Sequence, residues 1–133
     1  MAFQIEIPTP TGTDATYWRV IRVDLADQAR RADVLVGGFA SQAASDEVRQ
    51  LADGRSLAER RYSFTGDAYD SIAEADPAGH VSTRDAVLAA AYVAVKSRTI
   101  TVPNPAYDPS QPEGPGNEPT IEQPGEFAAA QDV

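Results

Sequence analysis

Between residues 16 and 40, apolar and polar side chains alternate in two runs separated by a polar break. In the first run Trp18, Val20, Arg22 and Asp24 fall on one side and Tyr17, Arg19, Ile21, Val23 and Leu25 on the other, the period of two that marks a strand with one buried face. The second set holds more apolar groups, so the face of Ile21, Val23 and Leu25 is expected to be the covered one, with Val20 opposite. In the second run Ala32, Val34 and Val36 alternate with Asp33, Leu35 and Gly37. Residues 26–30 are too few and too polar to be anything but a connection, and the pattern predicts a central β-hairpin. Gly37 and Gly38 carry no side chain into a sheet and mark a strand end, a bulge or the close approach of another backbone.

Shorter patterns flank the hairpin. Phe3, Ile5 and Ile7 alternate with Gln4 and Glu6 until Pro8 and Pro10 stop the run, predicting an edge strand. Residues 41–53 change to a helical period, with Ser45 as candidate cap, Val48 and Leu51 three apart, and Gly54 as a stop. Residues 57–65 return to strand character, with Tyr62 and Phe64 on one face and Arg61 and Ser63 on the other. The acidic stretch 66–79 is expected to be a loop with at most one helical turn. The strongest helix signal is 81–98. Ser82 begins a capping box completed by Asp85, and Val87, Leu88, Ala91, Tyr92 and Val95 form one apolar stripe expected to cover the sheet.

After Arg98 the composition changes. Ile100 and Val102 suggest one more strand, but residues 99–133 hold seven of the chain's ten prolines, six of its 20 acidic residues and none of its 11 basic ones. Few large apolar groups remain to offset an ordering cost of roughly 1–2 kcal/mol per residue, so an isolated arm is expected to stay extended and disordered. The predicted architecture is α+β and mainly antiparallel. A sheet of four or five strands covered by one helix occupies residues 1–98, and an acidic, proline-rich arm occupies 99–133. Tyr107, Ile121 and Phe127 are the arm's candidate anchors for a partner.

Charge and motifs narrow the functional classes. A net charge of −9 argues against a phosphate-backbone partner, which needs a basic footprint, so nucleic acid is not expected. No run of eighteen apolar residues spans a membrane and no signal-peptide pattern opens the chain, so no membrane partner is expected and synthesis is expected in the cytosol. The absence of cysteine excludes disulfides and thiolate metal sites. The single histidine, His80, with Ser71 or Ser82 and a nearby acid would be needed for a triad, but presence is not geometry. Asp67, Asp70, Glu74 and Asp76 lack calcium-loop spacing and read as solvated acids. The expectation is therefore a protein without catalysis, cofactor or metal. Two basic pairs, Arg30-Arg31 and Arg60-Arg61, are the complement of the acidic arm and are candidate receivers for the arm of a neighbouring copy. Alternation allows only one of Arg60 and Arg61 to share the face of Tyr62.

The stretch YWRVIRVDLADQARRADVLVGGFASQAA, followed by RRYSFTGDAYD and closed by FAAAQDV, resembles small proteins encoded among the virion-structure genes of tailed bacteriophages. The resemblance covers residues 16–70 and the last few, and leaves the proline-rich segment unmatched. It implies a structural component of the phage particle at the tail, baseplate or fibre attachment, made in the host cytoplasm, contacting other virion proteins and copies of itself. A capsid cement or decoration protein is the alternative within that class. Outside it stands a bacterial peptide- or ligand-binding module whose proline-rich arm is a ligand for another domain.

Overall fold

The predicted hairpin forms the centre of the main sheet. The computed structural model describes residues 1–10, 12–50 and 56–133. Strand β1 (Phe3–Ile7) pairs with β2 (Ala15–Ala26), which turns at 27–30 into β3 (Arg31–Phe39). After helix α1 (Gln42–Gln50), β4 (Ala58–Thr65) lies along β3, and helices α2 (Asp67–Ala73) and α3 (Thr83–Lys96) follow. Strands β5 (Thr99–Pro103) and β6 (Thr120–Pro124) make a separate two-stranded sheet, and the short β7 (Gln131–Asp132) pairs with β1. The main sheet thus has five antiparallel strands in the order β4-β3-β2-β1-β7. The fold is α+β and mainly antiparallel, with α2 standing where a loop was expected. Tyr69 and Ile72, three residues apart, give α2 one buried stripe, and Asp67 and Asp70 suit the positive end of its dipole.

The covered face of the hairpin differs from the expected one, and a β-bulge is the reason. Val20 stands opposite Val36, but Arg22 stands opposite Leu35, so β2 carries one extra residue at Ile21. Ile21 and Arg22 both turn away from the core, and alternation resumes with Val23 opposite Val34. Trp18, Val20 and Val23 therefore share one face, whereas simple alternation separates Val20 from Val23. Trp18 is fully buried, while Ile21 is 37% exposed. Gly38 explains how Trp18 lies so flat on β3: a Cβ there would stand 2.6 Å from the indole ring. The glycine admits a side chain, and the bulge belongs to the opposite strand.

Helix caps follow the same local logic. Ser82 Oγ accepts from the Asp85 amide at 3.2 Å, as the capping-box pattern predicts. α3 then lays Ala91, Tyr92 and Val95 into the core, with Val87 and Leu88 packed beside them. The Tyr92 hydroxyl accepts from the Val20 amide at 2.8 Å, satisfying a backbone donor at the bulge. For α1 the cap is Ser41, whose Oγ accepts from the Ala44 amide at 3.1 Å. Ser45 lies inside that helix, fully buried, and is not the cap. Leu51 and Gly54 lie outside the described residues.

The proline-rich segment is ordered, and the strand register explains how. Backbone bonds join Asn104 to Pro119 at 3.0 Å and Gly125 to Arg98 at 2.8 Å, bracketing the β5–β6 ladder. With Val102 opposite Ile121 and Thr101 opposite Glu122, the alternation puts Pro103 and Pro124 at positions whose amides point out of the ladder. No internal bond is lost there. Each proline instead removes a donor from an open edge, which blunts the ribbon against pairing with another strand.

Candidate docking site

The ribbon and the place where it joins the body form the candidate site. β5 and β6 pair with each other and make no extensive contact with the other elements, so the ribbon stands out from the sheet. One of its faces carries Ile100, Val102 and Ile121, the other Thr99, Thr101, Thr120 and Glu122. At its tip, residues 104–119 are organised by Asn117. The Asn117 amide nitrogen donates to the carbonyls of Asp108, Gln111 and Pro112 at 2.9, 3.3 and 3.1 Å, and its Oδ1 accepts from the Asp108 amide at 2.9 Å. Asp108 in turn accepts from both the amide and the hydroxyl of Ser110, bonds that hold its carboxyl below the usual carboxylate range.

The base is a stack of aromatic rings and guanidinium groups. Arg98, just before β5, sits 4.9 Å over the Tyr62 ring, and Arg60 sits 5.4 Å over Trp18. Just after β6, Glu126 Oε1 accepts from Arg60 Nε at 2.8 Å and from the Tyr62 hydroxyl at 3.2 Å. Burial, reinforced by the Glu126 charge and hydrogen bond, pushes the Tyr62 hydroxyl well above its ordinary value. Below this stack lies Phe127, with ring centroids 5.2 Å from Phe3 and 5.3 Å from Trp18.

These contacts redistribute the residues singled out as partner-binding. Phe127 is 1% exposed inside its own core and is not available to a partner. The reason is register: the chain after β6 returns to pair β7 with β1, which carries Phe127 onto Phe3. Residues 1–98 are thus not the whole body, because 125–133 complete it. Tyr107 and Ile121 remain on the ribbon, half-buried, with the Tyr107 hydroxyl donating to Glu113 at 3.2 Å. Arg60 does receive an acid of the arm, but Glu126 of the same chain. Arg30 pairs with Asp70 and Arg31 with Asp33, both ordinary partners within the body. Arg61 turns to the opposite face from Tyr62, as alternation requires, and stands opposite Leu35.

Glu126, Tyr62, Arg98 and Asn117 belong to the site, although the sequence did not single them out as partner-binding. Glu126 meets a partner 66 residues away, which leaves no local trace. Only Asn117 had a signal, the turn-forming Gly-Pro-Gly-Asn run at 114–117. Around His80 the two serines are otherwise engaged: Ser82 Oγ by the Asp85 amide, and Ser71 Oγ with the Asp67 carbonyl. Among the described residues, no group of three or more His, Asp or Glu is placed to hold a metal ion. In comparisons with known proteins, no family model, no curated protein and no solved structure matches the chain.

Proposed function

We propose that this protein is a non-catalytic structural component of a tailed-phage particle, joined to neighbouring virion proteins through the β5–β6 ribbon at the tail, baseplate or fibre attachment. The observation that carries the reading is the ribbon itself, ordered at its tip by Asn117, fixed at its base by Glu126 and making no extensive contact with the other strands and helices. Residues 99–124 carry Asp108, Glu113, Glu118 and Glu122 and no basic residue, which suits a partner surface of opposite charge. The resemblance of residues 16–70 to phage virion proteins supplies the kind of particle. The half-exposed apolar face of Ile100, Val102 and Ile121 supplies the contact, with charge setting its orientation.

The test leaves the core intact. In the phage encoding this chain, residues 104–119 are replaced by an Asn-Gly turn, which keeps β5, β6 and Phe127. Purified particles are expected to contain the wild-type chain and to lose the variant. Particles that lack the wild-type chain, or that take up the variant at the wild-type level, would overturn the reading.

A further inference from the structure

We propose that the α2–α3 side of the body is a self-association surface, occupied by a second copy of this chain with the two α3 helices antiparallel. This inference does not rest on the particle reading. An open groove with a volume of about 890 Å³ runs along α3, lined by Phe64, Ala68, Ala86, Ala90, Val93 and Ala94. Val93 stands 64% exposed on this apolar surface, although its neighbours Ala91, Tyr92 and Val95 on the same helix are buried in the core. The alanine wall admits a close helix, and Val93 protrudes from it.

Charge selects the occupant. Asp76, with His80, lines the groove before the α3 amino terminus, and Arg98, stacked on Tyr62, lines it just past the carboxyl terminus, so a carboxylate and a guanidinium mark its opposite ends. Both side chains are exposed. A two-fold axis across the middle of α3 brings the acid of each copy to the arginine of the other, sets Val93 of each against the other's alanines, and opposes the helix dipoles. A parallel arrangement would place like charges together. The interface is therefore complementary to itself without a second protein.

Sedimentation velocity of the full chain over a concentration series is the first measurement, with a monomer–dimer equilibrium expected. Val93→Asp should weaken association by at least about tenfold, because it sets a carboxylate against the apolar alanine wall of the other copy. Asp76→Arg should weaken it by a smaller factor, since it sets an arginine against the Arg98 of the other copy. Circular dichroism establishes that each variant is folded. Because the chain has no cysteine, Val93→Cys supplies a unique thiol, expected to cross-link two copies with a short bismaleimide. A chain that stays monomeric up to about 1 mM overturns the proposal. So does a dimer that Val93→Asp leaves unchanged and that the introduced cysteine does not cross-link.

Discussion

The main sheet and the ribbon are built from the same antiparallel ladder but are held in opposite ways. In the main sheet, Phe3, Trp18, Val34 and Val36 place their side chains on one covered face, and apolar burial at roughly 25 cal/mol per Å² is the dominant favourable contribution. The ribbon has its own backbone bonds but no such cover, and an isolated two-stranded hairpin is marginal in water. What holds the ribbon is not a core of its own: prolines restrict its unfolded states, the Asn117 hub orders its tip and the arginine–aromatic stack fixes its base. The lesson is that hydrogen bonding sets the shape of both regions, whereas burial decides which one the fold depends on.

The sharpest way to break this comparison is to remove the one large side chain that the arm lends to the body. Phe127→Ala is expected to cost about 3–5 kcal/mol, a large share of the stability of a small domain, measured by urea denaturation. Truncation after Arg98, which also removes Ala130, β7 and Glu126, is expected to abolish the cooperative transition altogether. By contrast, replacing 104–119 with a two-residue turn should shift stability by no more than about 1 kcal/mol. If that replacement unfolded the protein while Phe127→Ala did not, the assignment of roles would be reversed.

A second effect of intermediate size tests the floor of the core. Gly38→Ala sets a methyl group 2.6 Å from the Trp18 ring and should destabilise by about 1–3 kcal/mol, with a shift in Trp fluorescence as the indole moves. Gly37→Ala should cost less, since its added methyl meets the movable side chains of Ser56 and Ile21 at 3.2 and 3.3 Å.

The base of the ribbon gives a pH signature. The folded protein holds the Tyr62 proton more tightly than the unfolded chain does, so this contribution is intact below the ordinary tyrosine value of about 10 and is lost as pH rises toward the higher folded value. Denaturation midpoints between pH 9 and 11 should fall for the wild type and fall less for Tyr62→Phe. Equal slopes would detach Tyr62 from the alkaline transition.

The smallest global effect is expected at the tip. Asn117→Ala removes four hydrogen bonds in a loop that carries no core side chain, so hydrogen exchange at 104–119 should accelerate while the denaturation midpoint of the body hardly moves.

How much of this was legible from residues alone depended on range. The hairpin, the α3 cap at Ser82 and the Arg60/Arg61 split are local consequences of period and capping chemistry, and the structure has them. The covered face of β2 was misread because a single extra residue at Ile21 reverses every later side chain, and nothing in the residue types marks that bulge. Proline content suggested disorder after Arg98, yet the effect of a proline depends on whether its amide would face into the ladder, which is a matter of register. Phe127 was recognised as an anchor, but its target was Phe3 and Trp18, more than a hundred residues earlier, and a pairing at that distance is invisible to spacing. The candidate site shares that limit: its tip has a turn motif, whereas its base is assembled from four distant segments.

The pairing of β7 with β1 has a consequence for biosynthesis. Ala2 and Val133 exchange backbone hydrogen bonds, both at 2.9 Å, and Phe3 waits for Phe127 to complete its packing. At roughly 5–20 residues per second, the ribosome takes on the order of 6–25 s to cover the interval between those two rings. During that time the amino-terminal strand and Trp18 lack their final cover, and closing so long a loop makes the last step slow relative to hairpin formation. Nascent chains of this protein are thus expected to engage holdase chaperones through the β1–β2 region and to be released from them when the carboxyl-terminal segment emerges.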